Sequence, residues 1–311
     1  MIRFPLAHIG FAVPDRATRK GFDAFLADVF GARVIYEVLL TPEVAALGLD
    51  REQTLMLVGD TILFAVAPAG PGERPESAIG TMLRQHARPG MWIGLALAVA
   101  DLDAARAWAR ARGYTPVSYA GMEDRYCLLD RRDTLGVRLE LLKGALRDDP
   151  RQQPDWQPTW WRDAQPLGIV GLQSIGVSAP SLALAREIFA RKLGWPEVWT
   201  RRLPGDEADC AGFLIGDAVL EAMQPLTTDS PLARHGRDIQ GIYCLTFQVR
   251  SAEAAAAWLR GKGFELVGNT ATRFAIAPAQ AFGRLIYFTA EPVAGQPPLR
   301  TLIRQPAVFP A

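Results

Sequence analysis

Two side chains far apart in the 311-residue chain stand out of phase with their neighbours: His8 in LAHIGFAVPD (6–15) and Glu140 in VRLELLKG (137–144). Side chains alternate between the two faces of a strand. Ile9, Phe11 and Val13 therefore form one apolar face of the first segment, and His8, Gly10 and Ala12 form the other. Val137, Leu139 and Leu141 likewise alternate with Arg138, Glu140 and Leu142. An imidazole and a carboxylate on one open face can move a proton or ligate a divalent cation. The chain has only three His and three Cys, so any metal site must lean on carboxylates. The segments contain no dinucleotide-binding glycine fingerprint, P-loop, nucleophile elbow or zinc-finger spacing, and no nucleotide cofactor is expected.

The elements that must position these groups repeat four times. Each repeat is an alternating strand, then Asp or Ser, then an amphipathic helix, then Gly: LAHIGFAVPD through Gly31, GLALAVAD (94–101) through Gly113, QSIGVSAPS (173–181) through Gly194, and CLTFQVRS (244–251) through Gly263. Asp15, Asp101, Ser181 and Ser251 have the oxygen that caps a helix N-terminus, and the glycines suit helix C-termini. MLVGDTILFAVAP (56–68) and FLIGDAVLEAMQP (213–225) read as hairpins about Gly-Asp. SAIGTMLRQH (77–86) pairs with SPLARH (230–235) as a further repeat. The expected organisation is residues 1–145 and 167–311 as two similar domains of two modules each. A Pro- and Trp-rich linker, 146–166, joins them, and Trp156, Trp160 and Trp161 call for burial there. Ile9 and Ile175 then occupy equivalent strands.

Composition narrows the partners. Lys and Arg total 34 against 33 Asp and Glu, so no basic excess drives nucleic-acid binding. The longest apolar run, about Gly90 to Ala100, is far short of the ~20 residues of a membrane span. No signal-peptide pattern opens the chain, and three separated cysteines suit a reducing cytoplasm. A small-molecule substrate or ligand is the expected partner, with no nucleic acid and no membrane; homodimerisation is left open.

The module layout resembles the vicinal oxygen chelate superfamily, which includes glyoxalase I, methylmalonyl-CoA epimerase, extradiol dioxygenases and bleomycin-resistance proteins. LAHIGFAVPD, VRLELLKG and GMWIGLALAVADLDAA (90–105) carry the resemblance. It implies an α+β fold of four βαβββ modules, paired into two curved-sheet, glyoxalase-like domains, each with a concave cup. It places His8, Phe64, Gly94 and Glu140 at the ligand positions of the first cup, and Ser174, Glu221, Cys244 and Ile286 at those of the second. His8 and Glu140 are then the catalytic pair and the ligands of a divalent metal (Fe, Mn, Ni or Zn), with His86 or a substrate oxygen completing the set. Trp92, Gly94, Ala96, Arg138 and Phe64 line the substrate cup; Ser174, Glu221 and Cys244 mark a weaker second cup.

The departures matter. Phe64 and Gly94 break the four-ligand glyoxalase I set. Ser174 and Cys244 stand where extradiol dioxygenases carry His, which disfavours iron in the second cup. The implied function is isomerase, lyase or dioxygenase chemistry on a small oxygen-bearing molecule; the alternative is metal-free sequestration, as in bleomycin-resistance proteins. The plainer structural readings make His8 a hydrogen-bonded imidazole, Glu140 an ion-pair partner, Glu221 a pocket carboxylate, Cys244 a small apolar residue, and Tyr126 and Tyr287 core. If His8 binds a metal, affinity falls below its ordinary pKa of ~6.5. Alanine at His8 or Glu140 abolishes binding without unfolding the chain.

Overall fold

Each expected helix start is capped by the oxygen the sequence places there. Asp15 accepts from the Thr18 amide ahead of the helix α1 (Arg16–Phe30), and Asp101, Ser181 and Ser251 cap their helices in the same way. Gly31 ends α1 in the left-handed region, at φ 62°, where a side chain would be strained. The computed structural model describes residues 4–39, 51–68, 80, 83, 90–118, 122–296 and 305–309. The repeat at 77–86, with His86, lies almost wholly outside these residues.

Between the helices, alternation produces two curved mixed sheets in an α+β architecture, the expected glyoxalase-like pair. The first holds β1 (Leu6–Ala12), β2 (Arg33–Val38), β3 (Arg51–Val58), β4 (Thr61–Pro68), β5 (Met91–Val99), β6 (Tyr126–Leu129) and β7 (Arg138–Lys143), in the order β2-β3-β4-β1-β5-β7-β6. The second holds β8 (Ile169–Ser178), β9 (Glu197–Leu203), β10 (Ala208–Leu214), β11 (Val219–Pro225), β12 (Gly241–Val249), β13 (Leu266–Asn269), β14 (Arg273–Ile276) and β15 (Leu285–Thr289), in the order β9-β10-β11-β8-β12-β15-β14-β13. The two orders correspond strand for strand, with β13 added. Ile9 pairs with Leu63 on a parallel neighbour and Leu95 on an antiparallel one; Ile175 does the same with Leu220 and Leu245. The two isoleucines are therefore equivalent.

The hairpin aspartates bind the halves to each other reciprocally. Asp60 Oδ1 accepts from the Leu172 amide of β8 at 3.1 Å, and Asp217 Oδ1 accepts from the Leu6 amide of β1 at 2.9 Å. Burial raises the Asp60 carboxyl to about 6, against the hydrogen bonds from Thr61 and Leu172. The linker adds Arg151, whose guanidinium donates to the carbonyls of Leu6, Ala7 and Asp60 and pairs with Asp149. Trp161 is buried, and the Arg33 guanidinium lies 4.9 Å above its ring. Phe25 packs on Phe264 and Phe282, and Phe30 on Phe247 and Phe288, so one apolar core runs through both halves. Each buried phenylalanine contributes about 1.5–3 kcal/mol, against 0.5–1.5 for a hydrogen bond. The ring contacts hold the halves together more strongly than the polar links, which set their register.

Gly94 shows how close the strands lie. A Cβ there would fall inside contact distance of the Arg138 carbonyl oxygen on β7. Backbone cannot step aside as a side-chain tip can, so Gly94→Ala should cost about 1–3 kcal/mol. Urea unfolding of the two proteins checks this; a loss under ~0.5 kcal/mol, the scatter of a surface change, would contradict it.

Candidate functional site

Register places the chemistry of the first sheet in rows. His8 stands opposite Ala96, and Ala96 opposite Glu140, so one row crosses β1, β5 and β7. With strands ~4.8 Å apart, the His8 and Glu140 backbones are about 10 Å apart on one face. The next row runs Tyr36, Leu55, Phe64, Gly10, Gly94, Arg138. These rows floor a cavity of about 590 Å³, within the range of small-molecule sites. His8, Phe64, Arg138 and Glu140 all line it. The His8 ring lies 5.0 Å from that of Phe64.

Trp92 does not line the cavity, and the reason is a β-bulge. Gly10 pairs with Gly94 but Phe11 pairs with Trp92, so Ile93 is an extra residue in β5. A bulge resets the alternation. Ile93, expected under the helices, enters the cavity, while Trp92 turns into the core with its ring 5.1 Å from Phe11. Gly10 makes room for this: a Cβ there would lie 2.6 Å from Ile93 Cγ1. Gly94 and Ala96 share the face of His8 but do not line the cavity; Ala96 is fully buried between His8 and Glu140.

Sequence reasoning missed the cations. Arg51, Arg125, Lys143 and Arg147 join Arg138 in the lining, with Asp124 and Glu140 as the described acids. The signal available was the parity of Arg51, Gln53 and Leu55, which extends the hairpin strand backwards in phase with the cavity. Tyr126, assigned to the core, is buried and also lines the cavity.

These surroundings set the protonation states. Burial raises the Glu140 carboxyl to about 7, opposed by the charges of Arg51 and Arg138. Glu140 accepts no hydrogen bond from the described residues. Burial and then the Arg151 charge lower His8 to about 3, so the imidazole is neutral throughout the physiological range. Its Nδ1 is buried without a hydrogen-bond partner among the described residues. The expected fall in metal affinity below pH 6.5 therefore has no titrating imidazole behind it; the carboxyl that burial raises to about 7 in this cup is that of Glu140.

The donor set was tested against a divalent metal. Among the described residues no group of three or more His, Cys, Asp or Glu converges. His8 and Glu140 are two donors, Phe64 and Gly94 supply none, and Arg51 and Arg138 set positive charge beside the carboxylate. A cation there would face repulsion with half a coordination shell. The described residues do not by themselves fit a divalent metal.

The second cup is filled. Glu221, fully buried, takes Arg201 in a bidentate pair at 2.6 and 2.8 Å, Trp199 Nε1 at 3.2 Å and the Ser174 hydroxyl at 3.0 Å. Burial works against its charge, yet Arg201, Arg273 and Ser174 hold the carboxyl below the usual range. Cys244 packs against Met223, its sulfur 3.9 Å from the thioether. Arg273 pairs with Asp206, which also accepts from the Tyr287 hydroxyl at 2.6 Å, and the guanidinium lies 3.4 Å over the Tyr287 ring. Ser174, Thr246 and Tyr287 form the row that matches His8, Ala96 and Glu140. The counterpart of Glu140 is therefore Tyr287, not Ile286, which lies in the core. The bulge recurs too: Tyr243 is the extra residue of β12, in the place of Ile93.

Fold and cups define a two-domain protein of glyoxalase-like sheets, and the resemblance to the vicinal oxygen chelate superfamily holds. Residues 173–282 match the family described as Glyoxalase/Bleomycin resistance protein/Dioxygenase superfamily. The match falls on the half whose cup is filled. Among solved structures, the chain is similar to a triple mutant of 4-hydroxymandelate synthase from Streptomyces coelicolor. The TM-score is 0.66 at 14% identity, covering 95% of this chain and 96% of that one, a likeness of fold. Methylmalonyl-CoA epimerase from Mycobacterium tuberculosis matches at 26% identity over 42% of this chain and 92% of that one, with a TM-score of 0.38. A hypothetical protein from Bacillus halodurans matches at 21% identity, 40% and 97% coverage and a TM-score of 0.36. No curated protein matches the chain. Among the described residues no helix is long and apolar enough to cross a membrane.

Proposed function

We propose that the N-terminal cup moves a proton at a carbon next to a carbonyl group of a small organic anion, with Glu140 as the proton carrier. The observation that supports this most directly is Glu140 itself: a carboxyl raised to about 7 beside Arg51 and Arg138, with no hydrogen bond to it from the described residues. A base whose pKa lies near the working pH is both ionised and strong enough to act. In the step, the C–H bond breaks, its proton goes to a Glu140 oxygen, and the electron pair moves onto the carbonyl oxygen. The arginines and the neutral His8 imidazole are the groups available to stabilise that enolate. Return of the proton to carbon completes an isomerisation; departure of a neighbouring group completes an elimination.

Hydrogen exchange tests the reading without knowledge of the product. The protein is incubated in D2O with a panel of 2-oxo and 3-oxo carboxylates, and loss of the C–H signal next to the carbonyl is followed by proton NMR. Catalysed exchange of at least one compound is expected. A panel member that binds, by calorimetry, yet exchanges no faster than in buffer would favour sequestration instead.

A further inference from the structure

The cations of the open cup are not spread evenly. Arg138 and Arg51 act on Glu140 from one end of β7, beside Gln53. Lys143 ends the same strand at the opposite end. The Lys143 amide donates to the Arg125 carbonyl at 2.8 Å, which fastens Arg125 beside it. Arg147 follows in the next segment, exposed, with its guanidinium 3.3 Å from Asp148. At ~3.3 Å per residue, Arg138 and Lys143 are roughly 16 Å apart along the strand. Between them come the row of His8, Glu140 and Leu128 and then an apolar stretch of Leu142 and the Tyr126 ring, while Leu55 and Phe64 stand in the row of Arg138.

We infer that the ligand of this cup is an elongated dianion, with one anionic group on Arg51 and Arg138, an apolar middle, and a second anionic group on Arg125, Lys143 and Arg147. The inference rests on the cup being the ligand site, as proposed above, and adds the ligand's class. One anion at the inner end would leave the outer cations without a ligand group: among the described residues Asp124 is the acid that lines the cavity there, with Asp148 beside Arg147 and Asp101 near Lys143 outside the lining. Among the described residues, five cations facing two carboxylates also fit a doubly charged ligand better than a singly charged one. The apolar wall discriminates against a short, compact dianion, whose charges cannot reach both ends. The inner group sets the carbon next to it at Glu140.

The test uses the full chain and a graded series of α,ω-dicarboxylates, from succinate to dodecanedioate, each against the monocarboxylate of the same length, by titration calorimetry. Affinity is expected to pass through an optimum at an intermediate-to-long chain. The dicarboxylate there should bind at least ~10-fold more tightly than its monocarboxylate, since exposed charge pairs each contribute a few-fold. In the triple variant Arg125→Gln, Lys143→Gln, Arg147→Gln that ratio should collapse towards one. Equal affinities, no length optimum, a ratio unmoved in the variant, or no binding of any acid would each overturn the inference. Dicarboxylate binding with the expected optimum, but without proton exchange of any oxo acid, would remove the proton-transfer reading and leave this one. Exchange of oxo acids with equal mono- and dicarboxylate affinities would do the reverse.

Discussion

Exchange catalysed by the wild-type protein should decline as the pH drops through about 7, and Glu140→Gln should lower it by ~10²–10⁴-fold above that pH, the usual range for a lost general base, with the gap narrowing on the acid side. The sign follows from the role. The carboxylate takes the proton, so the rate follows the ionised fraction and falls on the acid side of the Glu140 pKa of about 7. His8 cannot be the source of this limb, because burial and Arg151 keep it neutral down to about pH 3. Arg138→Gln removes a charge that favours the carboxylate, so the limb should move to higher pH. Stability should change in the opposite direction to activity. Glu140 binds its proton more tightly in the folded chain than in the unfolded one, so its contribution is greatest at low pH and is lost as pH rises between the unfolded pKa and about 7. At pH 8, Glu140→Gln should therefore be more stable than wild type, by up to ~3 kcal/mol. A rate unchanged in Glu140→Gln, or an acid limb that stays in place in Arg138→Gln, would exclude Glu140 as the base.

The second large effect concerns the filled cup. Arg201→Met strands the ionised, fully buried Glu221 with only Trp199 and Ser174 as donors. Breaking a buried pair from one side costs about 3–5 kcal/mol, because the remaining charge loses its compensation. Urea unfolding at pH 7 should show a loss of that size. Glu221 has a depressed pKa in the folded protein, so its stabilisation is present above the unfolded value and disappears as pH falls through the folded one. The gap between Arg201→Met and wild type should shrink in that acid range. Arg201→Met with Glu221→Met, which removes both charges, should recover most of the loss. A single variant within 1 kcal/mol of wild type, roughly the worth of an exposed pair, would show that Glu221 is not held by Arg201.

Local physics accounts for what was legible in the chain. Capping oxygens at Asp15, Asp101, Ser181 and Ser251 act within three residues of themselves, and a Gly-Asp turn acts within four. The four modules, the two matched sheets and the equivalence of Ile9 with Ile175 follow from such short-range signals. So does the meeting of His8 with Glu140, since alternation along β7 and along β1 from His8 onward, past the irregularity at Ala7, carries each onto the same face.

Whatever depended on one strand slipping against another was decided by tertiary structure. Alternation read along β5 has no means of registering the extra residue at Ile93, because a bulge exists only relative to a partner; it turned Trp92 into the core and Ile93 into the cup. Likewise only the pairing of β12 with β15 shows that Tyr287, not Ile286, stands where Glu140 does. The cations are the plainest case. Strand parity puts Arg138 on the open face and offers a signal for Arg51, but nothing in the sequence around Arg125, Lys143 and Arg147 distinguishes them from solvated surface charges. Their convergence is a property of the curved sheet, as is the pairing of Arg201 with Glu221 that fills the other cup. Charge acts through space rather than along the chain. The sequence therefore determined the scaffold and the facing of its catalytic pair, while the choice between an open cup and a filled one was made by side chains that meet only in the folded protein.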